Sequence, residues 1–455
     1  MSKKLINDIN QFQKLANDII AEQEEKGISK KIKPEDLLEK LNISLDNEGV
    51  SDNKLLKDLK EISLNTPKTS SKLFFNQLFG GLNSKAVLGD LISIILNNSM
   101  STYKIAGPMV EVEKEIIRKV CKMINYPKNS GGTFPTGGSM SNFMALIMSR
   151  DVKDSKIKNH GTSKDLICYT SDVSHYSISK NASFTGIGRK NTRYIDTNSK
   201  GEMIAKKLEE NIKKDIKNNK VPIFVNATMG TTVLGAIDPI KDISEICKKY
   251  NIWLHIDGAY LGTLIFSKSF KNLTKHIYLS DSFCFNAHKT LGAPLSTSIL
   301  LVKNNSHLLD SFSNEAEYLY QTDNSDYNLG KRSLECGRKN NALKMWTLWK
   351  SVGTSGIGKM IERNYELANI AYSYVKNNKN YTLFSQKESL SICFNYKNYD
   401  PVNLCNGLYN ENKLMVGYGQ HKNNKFVRFV CVNRENSEKD ILNFFKILEN
   451  FADNQ

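Results

Sequence analysis

Five short runs in the middle of the chain are apolar almost without interruption. They are Leu166-Ile-Cys-Tyr169, Pro222-Ile-Phe-Val-Asn226, Ile252-Trp-Leu-His-Ile-Asp257, Ser282-Phe-Cys-Phe285 and Ser298-Ile-Leu-Leu-Val302. A strand wetted on one face alternates apolar and polar residues, whereas a continuous run suits a strand covered on both faces. Between the runs lie helical repeats such as Ile240, Ile243, Ile246, Cys247 and Tyr250. Strand alternating with helix predicts an α/β domain with a mostly parallel sheet.

The flanks differ in texture. Residues 1 to about 70 are polar and helix-prone, broken at Pro34 and Pro67, and read as a helical arm without a core of its own. Val112, Ile116, Val120 and Ile124 recur every four residues, one buried helix face. Beyond Trp349 a helix around 357–376, strands near 391–396 and 426–432, and a closing helix capped by Ser437 and Asp440 predict a small α+β domain. The expected division is an arm and dimer-contact segment over 1–100, an α/β domain over 101–349 and a small domain over 350–455. The net charge of +16 comes from lysines scattered among asparagines, not from an arginine-rich stripe, so no nucleic-acid partner is expected. Eight dispersed cysteines without a CxxC pair predict free thiols in a reducing compartment and no metal. With no apolar run long enough for a bilayer and no secretory leader pattern, the expectation is a cytoplasmic protein without membrane attachment.

Three signals carry chemistry. Gly131-Gly-Thr-Phe-Pro-Thr-Gly-Gly-Ser-Met-Ser141 enters a helical run, and free amides at a helix start suit a phosphate. Asp257 ends an apolar strand, where α/β sheets bind ligands. Asn286-Ala-His-Lys289 follows another strand, placing a lysine able to form a Schiff base. Singly these read as a turn, a helix cap and a surface lysine. Their order, with His175 between the first two, is what pyridoxal phosphate needs: a phosphate cradle, a ring-stacking group, a carboxylate for the pyridine nitrogen and a lysine for the aldehyde.

The sequence resembles the pyridoxal-phosphate-dependent group II amino-acid decarboxylases from about Phe74 onward. Phe75-Asn-Gln-Leu78 is similar to the family's FNQL, and Ser174-His-Tyr-Ser177 with Thr185-Gly-Ile-Gly188 to its SHxS…LGIG. Ala227-Thr-Met-Gly-Thr-Thr232 and Gly235-Ala-Ile-Asp238 resemble ATxGTT…GAFD; Trp253-Leu-His-Ile-Asp257 resembles WLHVD; Asn286-Ala-His-Lys289 resembles NPHK. Cys336-Gly-Arg338 with Lys344-Met-Trp346, and Phe426-Val-Arg-Phe429, resemble CGR…K-W and FFRxV.

The resemblance implies an aspartate-aminotransferase-like (type I) fold, a homodimer whose N-terminal helices wrap the partner, and α-decarboxylation of an amino acid. It implies that Lys289 binds the aldehyde, His175 stacks on the ring, and Asp257 pairs with its nitrogen. Ala259 and Thr232 lie near the ring; Ser139, Met140 (through its backbone) and Ser141 hold the phosphate, aided by Asn286 and His288. Arg428 binds the substrate α-carboxylate. Tyr327, on a loop Tyr320–Gly330 about three residues shorter than usual, is the candidate proton donor. Phe79 and Ser99 look like the cysteine sulfinate type within the acidic branch (glutamate, aspartate and cysteine sulfinate), and Ser101 stands where an aromatic is usual. Tyr260 resembles the aromatic amino-acid decarboxylases, and Leu261, Lys104 and Ala287 also depart from the family's pattern. The alternatives are therefore an aromatic amino-acid decarboxylase, an amine oxidase or aldehyde synthase on the same fold, and, remotely, a basic nucleic-acid-binding protein on an inactive scaffold.

Overall fold

The computed structural model describes residues 2–25, 27–28, 32–162, 164–314, 320 and 325–454. Among the described residues twelve strands form two sheets: Phe74–Phe75 (β1), Gly131–Thr133 (β2), Leu166–Ser171 (β3), Thr192–Ile195 (β4), Val221–Thr228 (β5), Trp253–Gly258 (β6), Ser282–Asn286 (β7), Ser298–Val302 (β8), Tyr381–Leu383 (β9), Ser391–Tyr396 (β10), Met415–His421 (β11) and Asn424–Val430 (β12). The large sheet runs β2-β8-β7-β6-β5-β3-β4, with β3 to β7 parallel and β8 antiparallel to both neighbours. The five apolar runs are its central strands, covered on both faces as their composition requires. Two short edge strands, β2 and β4, were not legible as strands, since three or four residues carry no measurable period.

The small sheet runs β1-β11-β12-β10-β9. Its β1 comes from the N-terminal flank and pairs in parallel with β11. The expected helix near 357–376 is the second of two helices that run together over Ala342–Asn377 with a break at Gly353 (φ +68°). The closing helix Glu438–Asp453 has the predicted cap: the Ser437 hydroxyl accepts from Asp440 N–H, and the Asp440 carboxylate accepts from Ser437 N–H at 2.8 Å. It buries Ile441, Phe444, Phe445 and Leu448. In the Met109–Met123 helix, Ile116 and Val120 are buried and Val112 is partly so. Seven of the eight cysteines are buried and all are free; Cys336 is exposed. Among the described residues no helix is long and apolar enough to cross a membrane, and no cluster of metal ligands occurs.

Candidate active site

Parallel strands point their carboxyl ends one way, and the loops beyond them converge. Thr228 ends β5, Asp257 lies at the end of β6, and Asn286 ends β7; in register, Thr228 pairs with Asp257 and Asp257 with Cys284. Opposite them starts the Gly138–Lys153 helix, which the chain enters from β2. A Cβ on Gly138 would come within 3.0 Å of Ala259 Cβ and 3.1 Å of Asn286 Nδ2, so only glycine lets this helix end approach the strand ends.

Between them lies a cleft of about 230 Å³. Lys289, Asp257, His175, Asn286 and His288 line it. Ser139, Thr232, Ala259 and Phe79 complete the predicted residues found there. Ser141 is buried beneath, its hydroxyl 3.0 Å from that of Ser298, which in turn donates to Asn286 Oδ1 at 2.6 Å. The Met140 side chain packs into the apolar cluster below the helix, leaving its backbone toward the helix start.

The electrostatics follow from burial and partners. Burial alone would raise the Asp257 pKa, but the Asn142 amide, the Lys289 charge and the Ala259 N–H outweigh it and hold the carboxyl below its ordinary range. Asn142 Nδ2 donates to Asp257 Oδ2 at 2.8 Å, and Ala259 N–H donates to Oδ1 at 3.0 Å. Burial pushes the Lys289 amine down, with Asp257 opposing. Burial, against the pull of Asp257, also lowers His175, whose Nδ1 accepts from Ser177 N–H at 3.2 Å. His288 is pushed down to about 4 by burial and by Lys289. Its Nδ1 lies 3.0 Å from the Thr297 N–H and 3.1 Å from the Thr297 carbonyl oxygen.

Arg428, on β12, is half-buried beside the cleft rather than in its lining. Its guanidinium donates to the carbonyls of Thr232 (3.2 Å) and Asn76 (2.8 Å). A Cβ on Gly417, its β11 neighbour, would lie 2.3 Å from Asn76 Oδ1, so that glycine makes the room. Ser99, Ser101 and Tyr327 do not line the cleft. The two serines bond to the backbone of the Cys336–Arg338 segment, with Arg338 N–H donating to Ser99 Oγ at 3.2 Å. Tyr327 packs edge-on against Tyr103 (5.6 Å between centroids), with Lys114 Nζ 3.8 Å from its ring centre. Of its loop, residues 321–324 lie outside the described residues.

Tyr260 lines the cleft, but its hydroxyl turns to Ser391 at 3.1 Å. The unusual Leu261 fills space left by Gly230, where a Cβ would fall 2.6 Å from Leu261 Cγ. Sequence reasoning missed Asn142 and Leu295, both of which line the cleft. Asn142 left one usable signal, a lone amide at the head of the apolar helical run Phe143-Met-Ala-Leu-Ile-Met148. The residues fit pyridoxal phosphate: an amine, an ionised carboxylate, a neutral imidazole and a glycine-built helix start meet in one cleft.

The comparisons agree with this chemistry. The model of the pyridoxal-dependent decarboxylase conserved domain matches residues 34–397. Acidic amino acid decarboxylase GADL1 of Xenopus tropicalis is 32% identical over 467 aligned residues, covering 96% of this chain and 90% of its own length. Cysteine sulfinic acid decarboxylase of Homo sapiens is 32% identical and covers 88% of this chain and 86% of its own. The crystal structure of mouse CSAD matches with a TM-score of 0.92 at 29% identity, covering 98% of this chain and 99% of that one. Catharanthus roseus tryptophan decarboxylase, at 22% identity and a TM-score of 0.90, shares the fold. The fold is the type I fold, and the cofactor is pyridoxal phosphate. The chain belongs to the pyridoxal-dependent decarboxylases and is a carboxy-lyase.

Proposed function

We propose that the chain is an α-decarboxylase of small acidic amino acids (cysteine sulfinate, aspartate or glutamate), working in the cytoplasm as a homodimer. What carries this reading is the meeting of Lys289, Asp257 and His175 in one cleft, in a chain whose relatives are named for acidic amino acids. When bound, pyridoxal phosphate supplies the electron sink for the pair left at Cα as carbon dioxide departs. Lys289 would hold its aldehyde, Asp257 its ring nitrogen and His175 its ring face. The start of the Gly138–Lys153 helix, with Ser139, the Met140 backbone and Ser141, would take the phosphate, helped by Asn286 and His288. Ala259 and Thr232 border the ring.

Arg428 holds the substrate α-carboxylate through a forked contact, and the closed cleft strips water from the carboxylate that leaves. Tyr327 returns a proton to Cα. In one chain its ring stands apart from the cleft lining, so that role needs loop movement or a second copy. A second copy has a surface to bind: the Ser84–Leu96 helix exposes Leu88, Leu91, Ile92, Ile94 and Ile95. Contiguous exposed apolar residues of this kind mark an interface. Ser99 and Ser101 follow directly, so docking on this face would bring them toward the substrate's distal acid group, while Phe79 lines the cleft of its own chain.

The test is carbon dioxide release from cysteine sulfinate, aspartate, glutamate, cysteate and the aromatic amino acids, with sedimentation velocity on the same sample. Preference for an acidic substrate and a two-chain particle are expected. Preference for an aromatic substrate, or aldehyde with peroxide in place of the amine, would overturn the reading.

A further inference from the structure

Trp253, His255 and Asp257 stand on one side of β6, two residues apart, and each is buried. Only Asp257 reaches the cleft. Behind it runs a chain of hydrogen bonds whose directions can be settled member by member. The Asn142 amide group donates to Asp257 Oδ2 (2.8 Å) and to Ser177 Oγ (3.0 Å). The reverse amide orientation would set the Asn142 carbonyl oxygen against an ionised carboxylate. Asn142 Oδ1 is therefore an acceptor, and His255 Nε2, 2.9 Å away, must carry a proton. His255 is fully buried and its pKa is pushed down to about 4 by that burial, so the ring is neutral and Nδ1 is bare. Nδ1 then accepts from the Ser282 hydroxyl at 2.8 Å, and Ser282 Oγ accepts from the indole N–H of Trp253 at 2.9 Å.

Every link points the same way, from indole through hydroxyl, imidazole and amide to the carboxylate. Asn142 also ties the second ring contact. Ser177, which takes its other proton, donates its own N–H to His175 Nδ1 at 3.2 Å. One amide thus joins the residue beneath the cofactor's ring nitrogen to the residue on its face.

We propose that Asn142 and His255 are positioning residues for Asp257 and His175. The chain Trp253–Ser282–His255–Asn142 holds the Asp257 carboxylate ionised and aimed, and so keeps the cofactor's ring nitrogen protonated. This rests on the pyridoxal phosphate reading of the cleft. A purely structural role for the same bonds predicts lost stability with unchanged cofactor chemistry, which separates the two.

The experiment uses holoenzyme loaded with pyridoxal phosphate isotope-labelled at its ring nitrogen, with the histidine ring nitrogens labelled in parallel, read by NMR. In the native protein a protonated ring nitrogen and a single Nε2–H tautomer for His255 are expected. In Asn142→Leu the ring nitrogen signal should move toward the unprotonated position, with kcat at least about tenfold lower and KM within about twofold, since one unit of lost proton affinity is a factor of ten. Ser282→Ala, a milder change that keeps the fold if Asn142→Leu does not, should mix the His255 tautomers and lower kcat severalfold. His255→Gln, whose amide N–H can face Asn142, should retain more activity and more ring protonation than His255→Leu. An Nδ1–H tautomer in the native protein overturns the proposal, as does a fully protonated ring nitrogen with normal kcat in Asn142→Leu or Ser282→Ala. Absence of any bound cofactor signal overturns the cofactor reading itself, and is told apart because the His255 tautomer is read on the protein.

Discussion

The wall around Asp257 and the segment joining Ser99–Ser101 to Cys336–Arg338 both carry residues singled out in the sequence, yet one chain treats them differently. At the wall, residues from β6, β7 and the Gly138–Lys153 helix converge on a shared cleft and bond to one another. At the second region the motif residues also bond tightly, with Arg338 and Glu113 forming a buried ion pair at 2.8 Å, but Ser99, Ser101 and Tyr327 stand outside the cleft lining. The difference teaches that the groups expected to hold the cofactor meet within one chain, whereas Ser99, Ser101 and Tyr327 do not reach that cleft in one chain.

The sharpest way to break this division is Lys289→Ala. If the wall is self-contained, turnover should fall by orders of magnitude while the cofactor still binds through its phosphate and ring. Borohydride reduction of the native holoenzyme should fix the cofactor on the peptide carrying Lys289, and labelling elsewhere would sink the assignment.

Arg428 lies beside the cleft, bonded to the Thr232 and Asn76 carbonyls. Arg428→Lys keeps the charge but loses the fork, so kcat/KM should fall at least about tenfold, the cost of a lost bidentate pair being on the order of 2 kcal/mol. An unchanged value in steady-state assays moves the carboxylate contact to another residue.

Tyr327→Phe probes the second region. Amine yield should drop while the visible cofactor band stays intact, with aldehyde or pyridoxamine phosphate rising in its place, because only the proton donor is removed. Normal amine yield, measured by chromatography of the products, removes Tyr327 from the mechanism.

The smallest expected effect concerns the wall's stability against acid. His255 and His288 both have pKa values near 4 in the folded chain, against about 6.5 when unfolded. Between those values the unfolded chain binds more protons, so their contribution to stability falls as pH drops from about 6.5 to about 4 and levels off below. Denaturant titrations at several pH values should show a shallower acid slope in His255→Gln than in the native protein; equal slopes would remove His255 as a source.

Much of this was legible in the sequence because it is local. Continuous apolar runs mark strands buried on both faces, and the order of the glycine-rich loop, His175, Asp257 and Lys289 along the chain marks the cofactor groups. The Ser437–Asp440 cap is likewise a matter of three residues' spacing. What the sequence left out is long-range. Nothing local told Phe74–Phe75 to pair with Met415–Val416, because a two-residue strand has no period and its partner lies near the other end of the chain. Tyr327 is the candidate proton donor through the family resemblance alone, and its packing against Tyr103 is set by residues far away in the chain. His255 looked like one more residue in an apolar strand until the fold brought Asn142 and Ser282 against its two nitrogens. By itself, then, the sequence determined the five central strands of the large sheet, the order of the cofactor groups and the family they resemble, since spacing and hydrophobic period are read along the chain. Only the tertiary structure decided which buried polar atoms meet, and hence the direction of the bonds behind Asp257, since hydrogen-bond partners are chosen by proximity in space.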